Sequence, residues 1–65
     1  MSGFSVGDVT SIHETDKAVL CDGGILDEQT WIPKSQIHDD SEVWREEQEG
    51  ELIVSHWFAE QKGWT

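Results

Sequence analysis

Residues 8–21 read DVTSIHETDKAVLC, two short runs with β-branched and apolar side chains on either side of a polar turn. Short runs of this kind, bounded by turn residues, are typical of strands. The pattern predicts a first strand at residues 8–14 and a second at residues 18–21, joined by the turn Glu14-Thr15-Asp16-Lys17. We therefore expect the fold to begin with a β-hairpin.

Turn residues delimit the next element. The pair Gly23-Gly24 suits the positive φ of a tight turn and should end the second strand. A third strand is predicted at residues 29–32. It should stop at Pro33, because proline removes a backbone donor and fixes φ. Residues 33–36 then suit a single 3₁₀ turn that begins with the proline.

The acidic middle of the chain continues the pattern of short runs separated by polar turn residues. It predicts a fourth strand at residues 42–46 and a fifth at residues 51–54. The polar residues 47–50 between them favour a hairpin loop. On this prediction the two strands pair with each other.

A short helix is predicted at residues 56–62, with Ser55 as its N-cap and Gly63 at its end. All elements fit one small domain, residues 1–65. The predicted class is mostly β (α+β): a small bent antiparallel sheet of four or five strands with a short C-terminal helix.

Apolar residues of these elements should supply most of the core. Cys21 is the single cysteine, so no intramolecular disulfide is expected, and it is interpreted as a small buried hydrophobe in a cytosolic protein. The other predicted core residues are Val9, Ile12, Val19, Leu20, Trp31, Ile32, Ile37, Leu52, Val54 and Trp57.

The sequence contains no catalytic motif, no metal-binding motif and no membrane-spanning segment. His13, Cys21, His38 and His56 are scattered singly, whereas structural zinc sites pair their ligands locally. No apolar run approaches the roughly 20 residues of a membrane span. We expect a non-enzymatic cytoplasmic protein with no catalytic residues, no metal and no cofactor.

Charge is the main functional signal. The 65 residues include 14 acidic and 4 basic side chains, for a net charge of -10. Direct nucleic-acid binding depends on Lys and Arg that neutralise phosphates, so it is not expected here. The predicted partner is the basic surface of a nucleic-acid-binding protein, and strong like charge favours a monomer.

Seven acids between residues 39 and 51 surround one tryptophan, an arrangement typical of a charged surface with an aromatic anchor. On the predicted fourth strand, carboxylates two residues apart would lie about 7 Å from each other, similar to successive phosphates. The alternative is an edge strand whose charges only block aggregation. The candidate partner-binding residues are Asp39, Asp40, Glu42, Trp44, Glu46, Glu47, Glu49 and Glu51.

Two segments carry a family resemblance. The run Thr30-Trp31-Ile32-Pro33-Lys34-Ser35-Gln36-Ile37 with residues 39–44, and the ending at residues 50–63, resemble a group of small uncharacterised proteins of bacteriophages and integrative elements. The resemblance covers about two thirds of the chain. It implies a mobile element inside a bacterial host cell, where small acidic proteins such as anti-CRISPR and anti-restriction DNA mimics act against host nucleic-acid-binding systems.

The same run is also similar to SH3 domains, in which a strand runs into proline and a 3₁₀ turn. This likeness implies an SH3-like barrel as an alternative to the open sheet. The chain has no tyrosine, so the peptide groove of SH3 domains is not implied.

Three functional hypotheses remain. The first is a DNA-mimic inhibitor of a nucleic-acid-handling protein. The second is a structural or assembly component of a phage particle. The third is an accessory single-stranded nucleic-acid-binding module that would stack bases on Trp31 and Trp57.

Overall fold

The computed structural model describes residues 3–65. Their strands form one antiparallel sheet in the order β3-β2-β1-β4, so the sheet is open and has β3 and β4 at its edges. This arrangement confirms the predicted mostly-β class with a short C-terminal helix. The elements are β1 (Phe4–Glu14), β2 (Ala18–Gly23), β3 (Thr30–Pro33), a 3₁₀ turn (Lys34–Gln36), β4 (Glu49–Val54) and α1 (His56–Lys62).

β1 is the strand that organises the sheet. Its first part pairs with β4 and its second part with β2. The pairing shifts register between Ser5 and Gly7 on the β4 side and between Ser11 and His13 on the β2 side. Bulges of this kind bend a strand and increase its twist, which allows one long strand to serve two partners at different angles.

The local signals in the sequence correspond to observed elements. Ser55 accepts a hydrogen bond from the Phe58 N–H at 3.1 Å, and Gly63 ends the helix in the left-handed conformation. α1 therefore has the predicted bounds, and the predicted 3₁₀ turn directly follows Pro33. Within residues 3–65, no helix is long and apolar enough to cross a membrane.

One compact cluster forms the core, and half of the predicted core residues belong to it. Val9, Val19, Ile32, Leu52 and Val54 are buried as predicted, and so is Cys21. Ile37 is only partly buried but packs against the cluster. The buried apolar residues that were not predicted are Val6, Val43, Phe58 and Ala59.

Four predicted core residues were wrong: Ile12, Leu20, Trp31 and Trp57. Leu20 and Trp31 each neighbour a residue that points into the core, and adjacent strand residues point to opposite faces. Ile12 lies on the outward side of β1 for the same reason. On α1, Phe58 and Ala59 face the core, which leaves Trp57 59% exposed.

The predicted fourth strand was also wrong, because residues 42–46 are not a strand. The side-chain oxygen of Gln48 accepts the N–H groups of Trp44 at 2.8 Å and Arg45 at 3.0 Å. These bonds close the backbone into a compact loop. The hairpin predicted at residues 47–50 is therefore absent, and β4 pairs with β1 instead.

Candidate functional site

Residues 38–48 form a connection from the 3₁₀ turn to β4, which we call the acidic loop. The loop carries most of the residues that the sequence predicted for partner binding. All of these side chains are exposed, namely Asp39, Asp40, Glu42, Trp44, Glu46 and Glu47.

The acidic loop is firmly attached to the sheet. His38 and Glu42 donate backbone hydrogen bonds to the edge of β4, at 2.8 Å to the Ile53 carbonyl and 2.9 Å to the Glu51 carbonyl. Val43 is fully buried in the core. These contacts hold the loop backbone in place, so its carboxylates project from a defined position.

Ser11 of β1 holds the other end of the loop. Its buried hydroxyl donates to the Arg45 carbonyl at 2.5 Å and accepts from the Gln48 N–H at 2.8 Å. The Ser11 backbone also exchanges hydrogen bonds with Glu47 and Gln48. The hydrogen-bonding groups of the buried Ser11 side chain are thus satisfied by backbone groups of the loop. The same bonds anchor this distant loop to β1.

Trp44 is the aromatic residue of the loop, and it is 51% exposed. The guanidinium carbon of Arg45 lies 4.8 Å from the centroid of its ring, within the range of a cation–π interaction. A surface cavity of about 320 Å³ opens beside the ring, lined by Lys34, Ile37, His38, Asp39, Ser41 and Trp44. The loop thus combines an exposed aromatic surface with nearby carboxylates.

The candidate residues do not form the single stripe that was predicted. Glu49 and Glu51 belong to β4, whereas the other six lie on the acidic loop. Glu42 connects the two groups, because its carboxylate accepts the Glu51 N–H at 2.9 Å. The regular 7 Å spacing expected for successive phosphates therefore does not apply to residues 42–46, which are not extended.

Two acids that the sequence did not indicate adjoin the β4 group. Asp8 of β1 lies directly opposite Glu51, and Thr10 lies between Glu49 on one side and Asp22 of β2 on the other. These residues lie on the face of the sheet that points away from the core, which we call the outer face. The sequence contained one signal for this position. Asp8 and Asp22 are each separated by an even number of positions from outward-pointing residues of their strands, so they should lie on the same face as those residues.

Glu14, the last residue of β1, contacts both the acidic loop and the 3₁₀ turn. Its carboxylate accepts hydrogen bonds from the Lys34 ammonium group and from the Glu46 N–H, the latter at 3.2 Å. The bond from Lys34, followed by the bond from Glu46, lowers the pKa of the Glu14 carboxyl below its ordinary value of 4.5. A lowered pKa means that the ionised form stabilises the folded state.

Glu14→Gln should make unfolding less sensitive to acid. The stabilisation from ionised Glu14 is fully present above pH 4.5 and is lost as the pH falls through the lowered pKa of the folded state. The difference in unfolding free energy between wild type and variant should therefore shrink in that acidic range. Urea titrations at a series of pH values measure it.

The control for Glu14→Gln is Glu28→Gln, which removes one exposed carboxylate from the connection between β2 and β3. It reports the general effect of reducing the negative charge by one. If the two variants followed the same pH dependence, the contact of Glu14 with Lys34 would have no role in acid stability.

Soft metal ligands and nucleophiles do not gather at this surface. Burial raises the pKa of the Cys21 thiol to about 11, and the sulfur lies in the core. Among the residues that the structure describes, no three His, Cys, Asp or Glu side chains are arranged to hold a metal ion. What the surface offers chemically is clustered negative charge beside the exposed ring of Trp44.

Compared with models of protein families, with curated proteins and with solved structures, the chain matches none of them.

Proposed function

We propose that this protein is a non-enzymatic inhibitor from a phage or mobile element, which binds a nucleic-acid-handling protein of the bacterial host. The acidic loop would occupy the basic groove in which that protein holds DNA or RNA. We further propose that the protein acts in the bacterial cytoplasm and binds its partner as a monomer.

The observation that carries the proposal is the exposure of Trp44 on an acidic loop that is anchored to the sheet. Half of a large ring remains in water although the loop is anchored by Val43 and Ser11. Tryptophan and arginine are the residues most enriched at binding hot spots. Arg45 already lies against the ring. A lysine or arginine of the partner can replace it there, while neighbouring carboxylates neutralise the partner's other charges.

Electrostatics supports a basic partner. A net charge of -10 on a chain of this size produces a field that accelerates encounter with a positively charged groove. Charge complementarity mainly raises the association rate and the discrimination between partners. Binding should therefore weaken steeply as salt is added, and nucleic acid should compete for the same groove.

A second candidate function is an accessory module for single-stranded nucleic acid. The observation that favours it is the exposure of Trp31 and Trp57, at 46% and 59%. Exposed aromatic rings are what such modules use to stack bases. The sign of the surface charge opposes it, because the carboxylates of the outer face would repel the phosphates that accompany stacked bases.

Neutralising the acidic loop should abolish partner binding. The variant replaces Asp39 and Asp40 by asparagine and Glu46 and Glu47 by glutamine, and retains Glu42 because its carboxylate bonds β4. Its affinity for a partner isolated from host lysate at low salt should fall by about a hundredfold or more, measured by calorimetry. Trp44→Ala should have a comparable effect.

The matched control neutralises four acids elsewhere on the surface: Asp16, Asp27, Glu28 and Glu60, all exposed. It has the same net charge as the loop variant, so a much smaller loss of affinity would assign binding to the loop. Equal losses in both variants would reject a localised site. A complex that still accepted DNA or RNA normally would contradict inhibition and favour a role in phage assembly.

A further inference from the structure

The outer face of the sheet carries a second exposed surface, distinct from the acidic loop. Leu20 of β2 lies opposite Trp31 of β3 on one side and opposite His13 of β1 on the other. Ile12, at the β1 bulge, lies beside them. Ile12 and Trp31 are 36% and 46% exposed, so this apolar strip faces water.

The apolar strip is continuous with the acids of the same face. Asp22 follows Leu20 by two residues on β2, which separates the two side chains by about 7 Å along the strand. Asp8 and its partner Glu51 lie two residues beyond the level of Asp22 in the same direction, about 13 Å from the strip. The outer face is therefore divided into an apolar half (Ile12, Leu20, Trp31) and an acidic half (Asp8, Asp22, Glu49, Glu51).

The acidic half is assembled at a cost to stability. Asp8 directly faces Glu51 across β1 and β4, and like charges in opposite positions destabilise a strand pair. Ser5 donates a hydrogen bond to Glu51 at 2.6 Å. Among the described residues, no lysine or arginine forms an ion pair with an acid of this half, and the one lysine that is ion-paired, Lys34, contacts Glu14. A cation from outside the molecule would relieve this repulsion.

We propose that the outer face docks a peptide segment of a partner protein that carries apolar side chains followed, within a few residues, by lysine or arginine. The apolar residues would lie on Leu20 and Trp31, and the cations would reach Asp22 and Asp8. Charge complementarity selects this occupant. A nucleic-acid strand would bring phosphates to the acidic half, and a second copy of this chain would bring its own carboxylates there.

This inference goes beyond the proposed function, because it concerns a surface that does not include Trp44 and requires only that one segment of a partner be both apolar and basic. The two proposals can fail separately. Loss of the host partner on neutralising the acidic loop tests the first, and peptide binding at Trp31 tests the second.

The test begins with selection of short random peptides, displayed on a carrier, against the immobilised wild-type protein. Enriched peptides are then synthesised and titrated into ¹⁵N-labelled protein. The tryptophans provide separate indole N–H signals in the NMR spectrum, which are assigned by substitution. We expect enriched peptides to combine apolar residues with Lys or Arg, and to shift the signals of Trp31, Leu20 and Asp22.

Variants then assign the contacts. Trp31→Thr keeps a residue suited to strands and should weaken peptide binding about tenfold or more. The pair Asp8→Asn and Asp22→Asn, which leaves the apolar strip intact, should weaken it about fivefold and reduce its salt dependence. The matched control is Ile25→Thr, since Ile25 is 47% exposed but lies in the β2–β3 connection rather than on the outer face.

Several results would overturn the proposal. They are a failure of any peptide to be enriched, binding by basic peptides that lack apolar residues, and shifts at Trp44 in place of Trp31. The proposal would also be wrong if Ile25→Thr weakened peptide binding as much as Trp31→Thr. If oligothymidine shifted the indole N–H signal of Trp31 and no peptide did, the outer face would be a nucleic-acid-binding surface and the proposal would be wrong.

Discussion

Leu52→Ala should remove most of the stability of this protein. Leu52 is fully buried in the core, and truncating such a residue costs about 2–5 kcal/mol through lost burial and the cavity left behind. A chain of 65 residues has a total unfolding free energy of only about 3–10 kcal/mol. Urea unfolding followed by circular dichroism measures the loss.

Trp31→Ala is the informative comparison, because it removes far more atoms. Trp31 is 46% exposed, so only about half of the ring's burial is lost and the cost should be about 1–2 kcal/mol. Full burial would instead have implied about 3–5 kcal/mol. A larger loss for Trp31→Ala than for Leu52→Ala would show that the sheet presents its other face to the core.

Gly24→Ala should destabilise the fold by about 3 kcal/mol. Gly24 has a φ of 56°, and a Cβ atom there would lie 2.2 Å from the Val6 carbonyl oxygen. That oxygen accepts the Ile25 N–H at 3.0 Å, so relieving the clash would disturb a hydrogen bond that joins the β2–β3 connection to β1. The backbone cannot yield as a flexible side chain would.

The control for Gly24→Ala is Gly63→Ala at the end of α1. Gly63 also has a positive φ, 78°, but a Cβ atom there would meet nothing within 4 Å. Its substitution should cost only the left-handed backbone strain, about 1 kcal/mol. Equal costs at the two glycines, measured by urea unfolding, would mean that the contact with Val6 has no energetic consequence.

Elements with strong local signals were predicted closely. The helix begins after Ser55 and ends before Gly63, because a serine N-cap and a left-handed glycine act within one turn of the helix. Pro33 is the last residue of β3 and the N-cap of the 3₁₀ turn that begins at Lys34, for a similarly local reason. The polar turn between the first two strands likewise lies where it was expected.

Residues 42–46 show where local reasoning fails. The sequence predicted a strand here, yet Gln48 and the distant Ser11 satisfy the backbone of this segment and leave it as a loop. Ser11 and Arg45 are separated by 34 positions, and no local pattern indicates that they meet. The predicted spacing of the carboxylates was wrong for the same reason, and the acids of residues 39–47 lie exposed on a loop.

Local chemistry in the sequence was therefore sufficient for the class of fold, the helix and its caps, the first hairpin and the acidic character of the surface. Each of these depends on residues within a few positions of one another. Strand order, the inward side of each strand and the alignment of Asp8 and Asp22 with Glu49 and Glu51 were decided by pairing between distant segments. The reason is that pairing and burial are properties of contacts across the whole chain, and two β1 bulges shift the register on which every outward side chain depends.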